Sequence, residues 1–212
     1  MALTLSLSPQ SGNSYKVRIL LEQLKLPYDM RFVDTARNEH KSEAFRNAYN
    51  PRGQLPVLQD DRTIVWDSAA CLVYLARREN RLDWLPIEPR SMAEVMQWLA
   101  MAGTELQFGL QYSRRGVTRG RWIAGTLDQL QVIGQLGLEA LEWRLKDHDW
   151  LALDHVTIAD IACFPYVETA HEGQIDLGPY PAVAAWVERC RSIPKWAKRL
   201  PKDASGPAIP AR

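Results

Sequence analysis

Ser11 and Asn13 stand just ahead of an amphipathic stretch that begins at Ser14, so a hydroxyl and an amide sit where a helix presents unpaired N–H groups. Such a pair can donate hydrogen bonds to a bound thiolate. A thiol of pKa about 8.5 is only a few per cent ionised at neutral pH, and lowering that value by about 2 units takes about 2.7 kcal/mol. A hydrogen bond to a charged group supplies about 1.5–3 kcal/mol and a helix terminus about 0.3–1 kcal/mol. One hydroxyl and one helix start therefore suffice, with no histidine base. Asp67 and Ser68 repeat the arrangement ahead of another helical stretch. There the helix N–H groups and Ser68 suit a carboxylate while Asp67 faces an ammonium, which together match the α-group of an amino acid. All four residues are also common helix caps, and spacing alone leaves both uses open.

Between these pairs lies the run from Asn50 to Leu58, in which Pro51 and Gly53 make a turn and Pro56 directly precedes the strand-like Val57 and Leu58. A proline cannot donate to a sheet ladder, so Pro56 belongs at the start of a strand. A cis Leu55–Pro56 bond would turn the N–H and C=O of Leu55 outward, where they could pair with an extended peptide-like ligand as an edge strand does. A trans proline at a plain strand start is the alternative. Further along, Arg114, Arg115, Arg119 and Arg121 surround Tyr112 and Trp122 in what reads as an interhelix segment. These residues form either a solvated surface or a mouth for an anionic or aromatic second substrate.

The elements that must position these groups follow from periodicity. Leu3 to Ser8 alternates as a half-buried strand, and Val17, Ile19, Leu20, Leu21 and Leu24 mark a helix that stops before Pro27. Tyr28 to Val33 is a second strand, Ser42 to Tyr49 a short helix, and Val57 to Gln59 with Thr63 to Trp66 a hairpin. A helix from Ser68 to about Arg78 completes the set. A βαβ unit followed by ββα makes a mixed four-stranded sheet, the shape of a thioredoxin-like domain. Its helix starts and loops gather Ser11, Leu55 and Ser68 at one edge. Pro86 and Pro89 mark a linker, after which strand alternation stops and helical spacing takes over. The expected fold class is α/β plus all-α: a thioredoxin-like domain over residues 1–80, a linker over 81–88 and a helical bundle over 89–212. Within the bundle, Thr157 and Asp160 form a capping box, Pro165 should kink or end its helix, Pro181 opens another and Pro194 a short last one. Ser205 to Arg212 reads as a frayed tail.

Composition narrows the partners. With 46% hydrophobic and 24% charged residues, eight Trp and seven Tyr, the chain is a folded globular protein. A net charge of +1 gives phosphate or anionic lipid little to attract, which argues against nucleic-acid and membrane-surface binding in favour of small-molecule or protein partners. The amino terminus lacks the positive and apolar regions of a signal peptide, and no stretch reaches membrane-spanning length. Cys71, Cys163 and Cys190 lie apart in apolar helical settings, as buried thiols of a reducing compartment do, so the expected location is cytoplasmic. Without CxxC or a Cys/His cluster, no metal site is expected. His40, His148, His155 and His171 are scattered and read as surface or capping residues.

Taken together, SGNSYKVRI from Ser11 to Ile19, GQLPVL from Gly53 to Leu58, DSA from Asp67 to Ala69 and VTIAD from Val156 to Asp160 resemble the glutathione S-transferase family over nearly the whole chain. The resemblance implies glutathione as co-substrate, held mostly by the first domain, an electrophile in a cleft beside it, and a homodimer. It implies a cis Pro56, pairing of Leu55 with the cysteinyl backbone, Asp67 and Ser68 at the γ-glutamyl end, and Gln54, His40 or Lys41 at the glycine carboxylate. Tyr112, Arg115 and Trp122 would face the second substrate. Ser11 takes the position of the hydroxyl in the serine classes of the family, and Tyr15 comes too late for the tyrosine classes. The maleylacetoacetate isomerase class carries SSCS where this chain has SGNS, so Asn13 replaces its cysteine. Asparagine in this loop resembles bacterial members with glutathione-dependent disulfide reductase or peroxidase activity. The resemblance thus implies a thiolate held by Ser11 with help from Asn13, attacking an electrophilic carbon, a peroxide or a disulfide. Glutathione-dependent isomerisation and a non-catalytic interaction role are the alternatives, and the intact thiol-binding edge argues against the second.

Overall fold

Leu3, Leu5 and Leu7 alternate with Thr4 and Ser6, and in the computed structural model, which describes residues 3–122 and 125–206, they form the strand β1 (Leu3–Leu7). β2 (Tyr28–Phe32) runs parallel to it, β3 (Val57–Asp60) runs antiparallel to it, and β4 (Thr63–Trp66) closes a hairpin with β3. The order across the sheet is β2-β1-β3-β4. Lying inside the sheet, β1 is buried on both faces and not on one, with Ser6 only 4% exposed. The helices α1 (Gly12–Gln23) and α3 (Ser68–Arg78) pack on each other, and α2 (Glu43–Ala48) connects β2 to β3. The Leu55–Pro56 peptide bond is cis.

The described residues fall into two units, one holding the chain up to Asn80 together with the chain from Lys195 onward, the other Arg81–Pro194. The carboxyl-terminal segment, expected as part of the helical bundle, thus belongs with the sheet. Tyr15 Oη donates to Ala197 O at 2.6 Å and Arg18 Nη1 to Lys198 O at 3.0 Å, which bind the segment to α1. No helix begins at Pro194; Lys195 adopts a left-handed φ of 62°, and no regular element follows it among the described residues. Most of the expected frayed tail, residues 207–212, lies outside the described residues.

The second unit contains α4 (Pro89–Gly103), α5 (Tyr112–Arg119), α6 (Leu127–Leu145), α7 (Ile158–Val167) and α8 (Pro181–Ser192), with no strand among its described residues. A π-helical segment, Leu106–Gln111, follows α4 and was not legible in the apolar spacing. Gly109 brings it against α6 so closely that a Cβ there would lie 2.2 Å from Gly134 Cα. Arg114, Arg115 and Arg119 lie inside α5 instead of between helices, and the helix ends only at Gly120, which takes a left-handed φ of 62°. All ten residues of α7 are buried, Pro165 among them, and the helix stops two residues beyond that proline.

Asp160 holds the start of α7. Its Oδ2 accepts from Thr157 N at 2.9 Å, while Oδ1 accepts from Leu151 N at 3.1 Å and from Trp186 Nε1 at 3.0 Å. Thr157 Oγ1 accepts in turn from Ala159 N, completing the capping box the sequence announces. Burial pushes the Asp160 carboxyl above its ordinary range, against the pull of these N–H donors. Asp160→Ala leaves the three donors buried without an acceptor, and urea unfolding is expected to show a loss of about 3–5 kcal/mol.

Residues 81–88 are tied back to the same region. Ile158 N donates to Trp84 O at 3.2 Å, and His155 meets Asp83 O through Nε2 at 2.9 Å and Asp154 Oδ1 through Nδ1 at 2.6 Å. Both partners of the ring are acceptors, so only the doubly protonated imidazolium satisfies them. Burial alone would lower the His155 pKa, but Asp154 and the Asp83 carbonyl outweigh it and raise the value above 6.5. A raised folded-state value stabilises fully below about pH 6.5 and loses that contribution as pH climbs through the folded value. His155→Gln is expected to flatten this decline in melting curves taken across the range, and only slightly, because the His155 side chain is 46% exposed and that of Asp154 96%.

Candidate active site

Ser6 pairs with Val57 and Val57 with Trp66, so the end of β1, the start of β3 and the end of β4 stand in one row across the sheet. Beyond that row the chain continues into the start of α1, comes from Leu55, and continues into the start of α3. This explains how residues 55 positions apart meet: Ser68 Oγ donates to Asn13 Oδ1 at 2.8 Å, joining the two helix starts.

Ser11 is the N-cap of α1, with extended backbone and a side-chain oxygen that accepts from Ser14 N at 3.1 Å. That bond uses an oxygen lone pair and leaves the hydroxyl proton available for another acceptor. Ser11 and Asn13 are both half-buried. Asp67 is the N-cap of α3, its Oδ1 accepting from Ala69 N at 2.9 Å. Its backbone sits at φ 76°, ψ 133°, a region that costs a residue with a β-carbon about 1–3 kcal/mol. Its Oδ2 lies 3.8 Å from Arg52 Nη1, an exposed pair of little energetic weight. Ser68 is buried at the first position of α3, where its N–H has no acceptor within the helix.

The turn ahead of Leu55 is braced from within. Asn50, 1% exposed, donates from Nδ2 to Gln54 O at 2.9 Å and accepts from Arg52 N at 3.0 Å. Arg46 Nε donates to Pro51 O and Lys41 Nζ to Arg52 O at 3.1 Å. Gly53 takes φ 56°, and a Cβ on it would come 2.6 Å from His40 O, so the turn of His40 and Lys41 packs directly on this loop. His40, Lys41 and Gln54 are therefore brought together beside Leu55. Leu55 packs with Val33, Phe45 and Val57 and precedes the first ladder residue, so neither β1 nor β4 engages its main chain. Asn50 was passed over as a functional residue, although Asn ahead of a Gly-containing turn is an Asx-turn signal. The Arg52–Asp67 contact had no sequence signal.

In the other unit Tyr112, Arg115 and Gly116 share a face of α5 by their spacing. Trp122 lies on Gly116, where a Cβ would meet its ring at 2.1 Å, and Tyr112 stands edge-on to Phe108 with centroids 5.1 Å apart. Arg114 is turned to Glu172, 2.9 Å away. Arg115 keeps a buried Nε without a hydrogen-bond partner among the described residues, and burial lowers its pKa from the ordinary arginine range.

Cys71, Cys163 and Cys190 are free and buried. Burial pushes Cys71 up to about 12 and Cys190 well above the ordinary thiol value, so neither provides a thiolate at neutral pH. Among the described residues no group of His, Cys, Asp and Glu is placed to hold a metal ion, and no helix is long and apolar enough to cross a membrane.

Comparison with known proteins gives the family. The family model for the amino-terminal domain of glutathione S-transferases matches residues 10–78, and that for their carboxyl-terminal domain matches residues 135–194. The disulfide-bond oxidoreductase YfcG of Escherichia coli is 30% identical over 92% of this chain and 93% of its own length. A probable maleylacetoacetate isomerase of Caenorhabditis elegans is 29% identical over 92% of this chain and 91% of its own. Among solved structures, a glutathione S-transferase from Pseudomonas fluorescens superposes with a TM-score of 0.87 at 31% identity, covering 95% of this chain and all of that one. By these matches the chain belongs to the glutathione S-transferase family.

Proposed function

We propose that this edge binds glutathione and keeps its sulfur as a thiolate for attack on a disulfide, a peroxide or an electrophilic carbon. The observation that supports the reading is the 2.8 Å bond between Ser68 and Asn13, which joins the start of α3 to the start of α1. Glutathione is an extended tripeptide with a carboxylate at each end, an ammonium at one and a thiol in the middle. Its γ-glutamyl carboxylate meets the N–H groups at the start of α3, and its ammonium faces Asp67. Its cysteinyl backbone pairs with Leu55, whose main chain the sheet leaves unused. Its glycine carboxylate lies toward Gln54, His40 and Lys41. The sulfur comes to the start of α1, where Ser11 donates its hydroxyl proton and Asn13 assists.

With a disulfide, the thiolate forms a new S–S bond to one sulfur while the old bond breaks and its electron pair leaves on the departing thiolate. A second glutathione thiolate then resolves the mixed disulfide and yields oxidised glutathione. The buried cysteines of the chain take no part, so both electrons come from glutathione. Tyr112, Arg115 and Trp122 face an anionic or aromatic second substrate, and the enzyme acts as a homodimer. Similarity to YfcG and an asparagine at position 13 favour the disulfide reaction. Glutathione-dependent isomerisation is the second reading, supported by similarity to the isomerase and by Lys16, Val17, Arg18 and Ile19 after the loop.

Ser11→Gly separates cap from chemistry, because glycine caps a helix with a loss of only a few tenths of a kcal/mol yet has no hydroxyl. The pKa of bound glutathione, read from thiolate absorbance, is expected to rise by about 1–2 units while the melting temperature of the free protein hardly moves. An unchanged thiol pKa would sink the role given to Ser11. Asp67→Asn keeps the cap and the tolerance for positive φ but removes the charge. Calorimetry is expected to show glutathione bound about tenfold more weakly, a loss of about 1.4 kcal/mol. Turnover of a panel of disulfides, peroxides, electrophilic carbons and cis-enones on one preparation decides between the two readings.

A further inference from the structure

Asp67 has one carboxylate oxygen to give a ligand. Its Oδ1 accepts from Ala69 N at 2.9 Å as the cap of α3, which leaves Oδ2 for the ammonium of a bound amino acid. That oxygen already has a cation beside it, because Arg52 Nη1 lies 3.8 Å away. Arg52 belongs to the turn ahead of Leu55, and its main chain is held on both sides. The N–H donates to Asn50 Oδ1 at 3.0 Å and the carbonyl accepts from Lys41 Nζ at 3.1 Å. Its side chain is 52% exposed and that of Asp67 47%, so the guanidinium has water to move into. A pinned backbone carrying a loose charged arm suits exchange of one cation for another.

We propose that Arg52 competes with the ammonium of glutathione for Asp67 Oδ2, and so sets how strongly the site distinguishes glutathione from analogues that lack this ammonium. The assignment rests on the reading of this edge as a glutathione site. When the ammonium meets Oδ2, the guanidinium either withdraws and gives up its ion pair, or stays and is crowded by like charge. Both lower the net gain from the ammonium. A ligand with the carboxylate but without the ammonium meets the opposite effect. Arg52 then remains on Asp67 and offsets its negative charge, so the ligand carboxylate reaches the start of α3 without facing a bare like charge. The residue thus weakens the ligand that brings its own cation and assists the one that does not. Exposed ion pairs carry small energies, so the effect on either ligand is a few-fold and not a loss of binding.

Calorimetric dissociation constants for glutathione and for its des-amino analogue, in which a glutaryl group replaces the γ-glutamyl group, test this in wild type, Arg52→Gln, Asp67→Asn and the double variant. Glutamine removes the charge while the main chain of the turn keeps its hydrogen bonds to Asn50 and Lys41. Arg52→Gln is expected to bind glutathione about two- to fivefold more tightly, the span of an exposed ion pair, and the des-amino analogue no more tightly than wild type does. On the Asp67→Asn background, where the carboxylate charge is gone, Arg52→Gln is expected to change glutathione affinity by less than about twofold. Glutathione bound equally or more weakly by Arg52→Gln overturns the assignment. Equal tightening of both ligands overturns it too, as does a tightening that persists on the Asp67→Asn background. Wild-type protein that fails to bind glutathione in the first titration overturns the reading of the site, and the role of Arg52 with it, whereas the other outcomes leave that reading standing.

Discussion

Ser6, Val57 and Trp66 stand side by side across three strands, and everything proposed for the active site depends on that row. The antiparallel ladders between β1, β3 and β4 allow only one register that keeps Leu5 and Leu58 in the core, because a slip by one residue would turn both to the other face. Once that register is set, the chain must leave or reach the row at Ser11, Leu55 and Asp67. Three sequence-distant segments are thereby delivered to the same edge without any contact having to be made between them first.

Helix starts supply the chemistry proposed for that edge, and the same device serves structure elsewhere in the chain. Thr157 and Asp160 satisfy the first turn of α7, and each Asp160 oxygen finds its donors inside the protein. Asp67 also caps a helix, yet it is exposed, held at a positive φ, and has the Arg52 guanidinium loosely beside it. A cap that is completely satisfied and buried is structural. A cap that is exposed and leaves helix N–H groups without acceptors is a place for an anion to arrive.

The thiols follow a similar division. Cys71 and Cys190 are buried where ionisation is costly, so neither is placed to serve as a thiolate at neutral pH. The edge with Ser11 and Asn13 has the opposite character, offering donors at a helix end that favours negative charge. Chemistry on sulfur here calls for a thiol that is brought in, and a tripeptide gripped along its length is a means of bringing one.

Much of the first unit was legible because its signals are local. Strand alternation, the turn residues around Gly53, and Ser or Asp ahead of apolar spacing depend on neighbours a few positions away, and the capping box of Thr157 and Asp160 is of the same kind. The π-helical segment was not legible, because it answers to the closeness of Gly109 and Gly134, which lie on different elements. The return of the chain after Lys195 to α1 was missed for the same reason, since it is made by Tyr15 and Ala197, 182 residues apart. Sequence by itself determined which residue types stand at each helix start, because capping is a local demand of the backbone. Only the tertiary structure decided that Ser68 faces Asn13, because the direction of a hydroxyl is set by whatever acceptor the fold brings within reach.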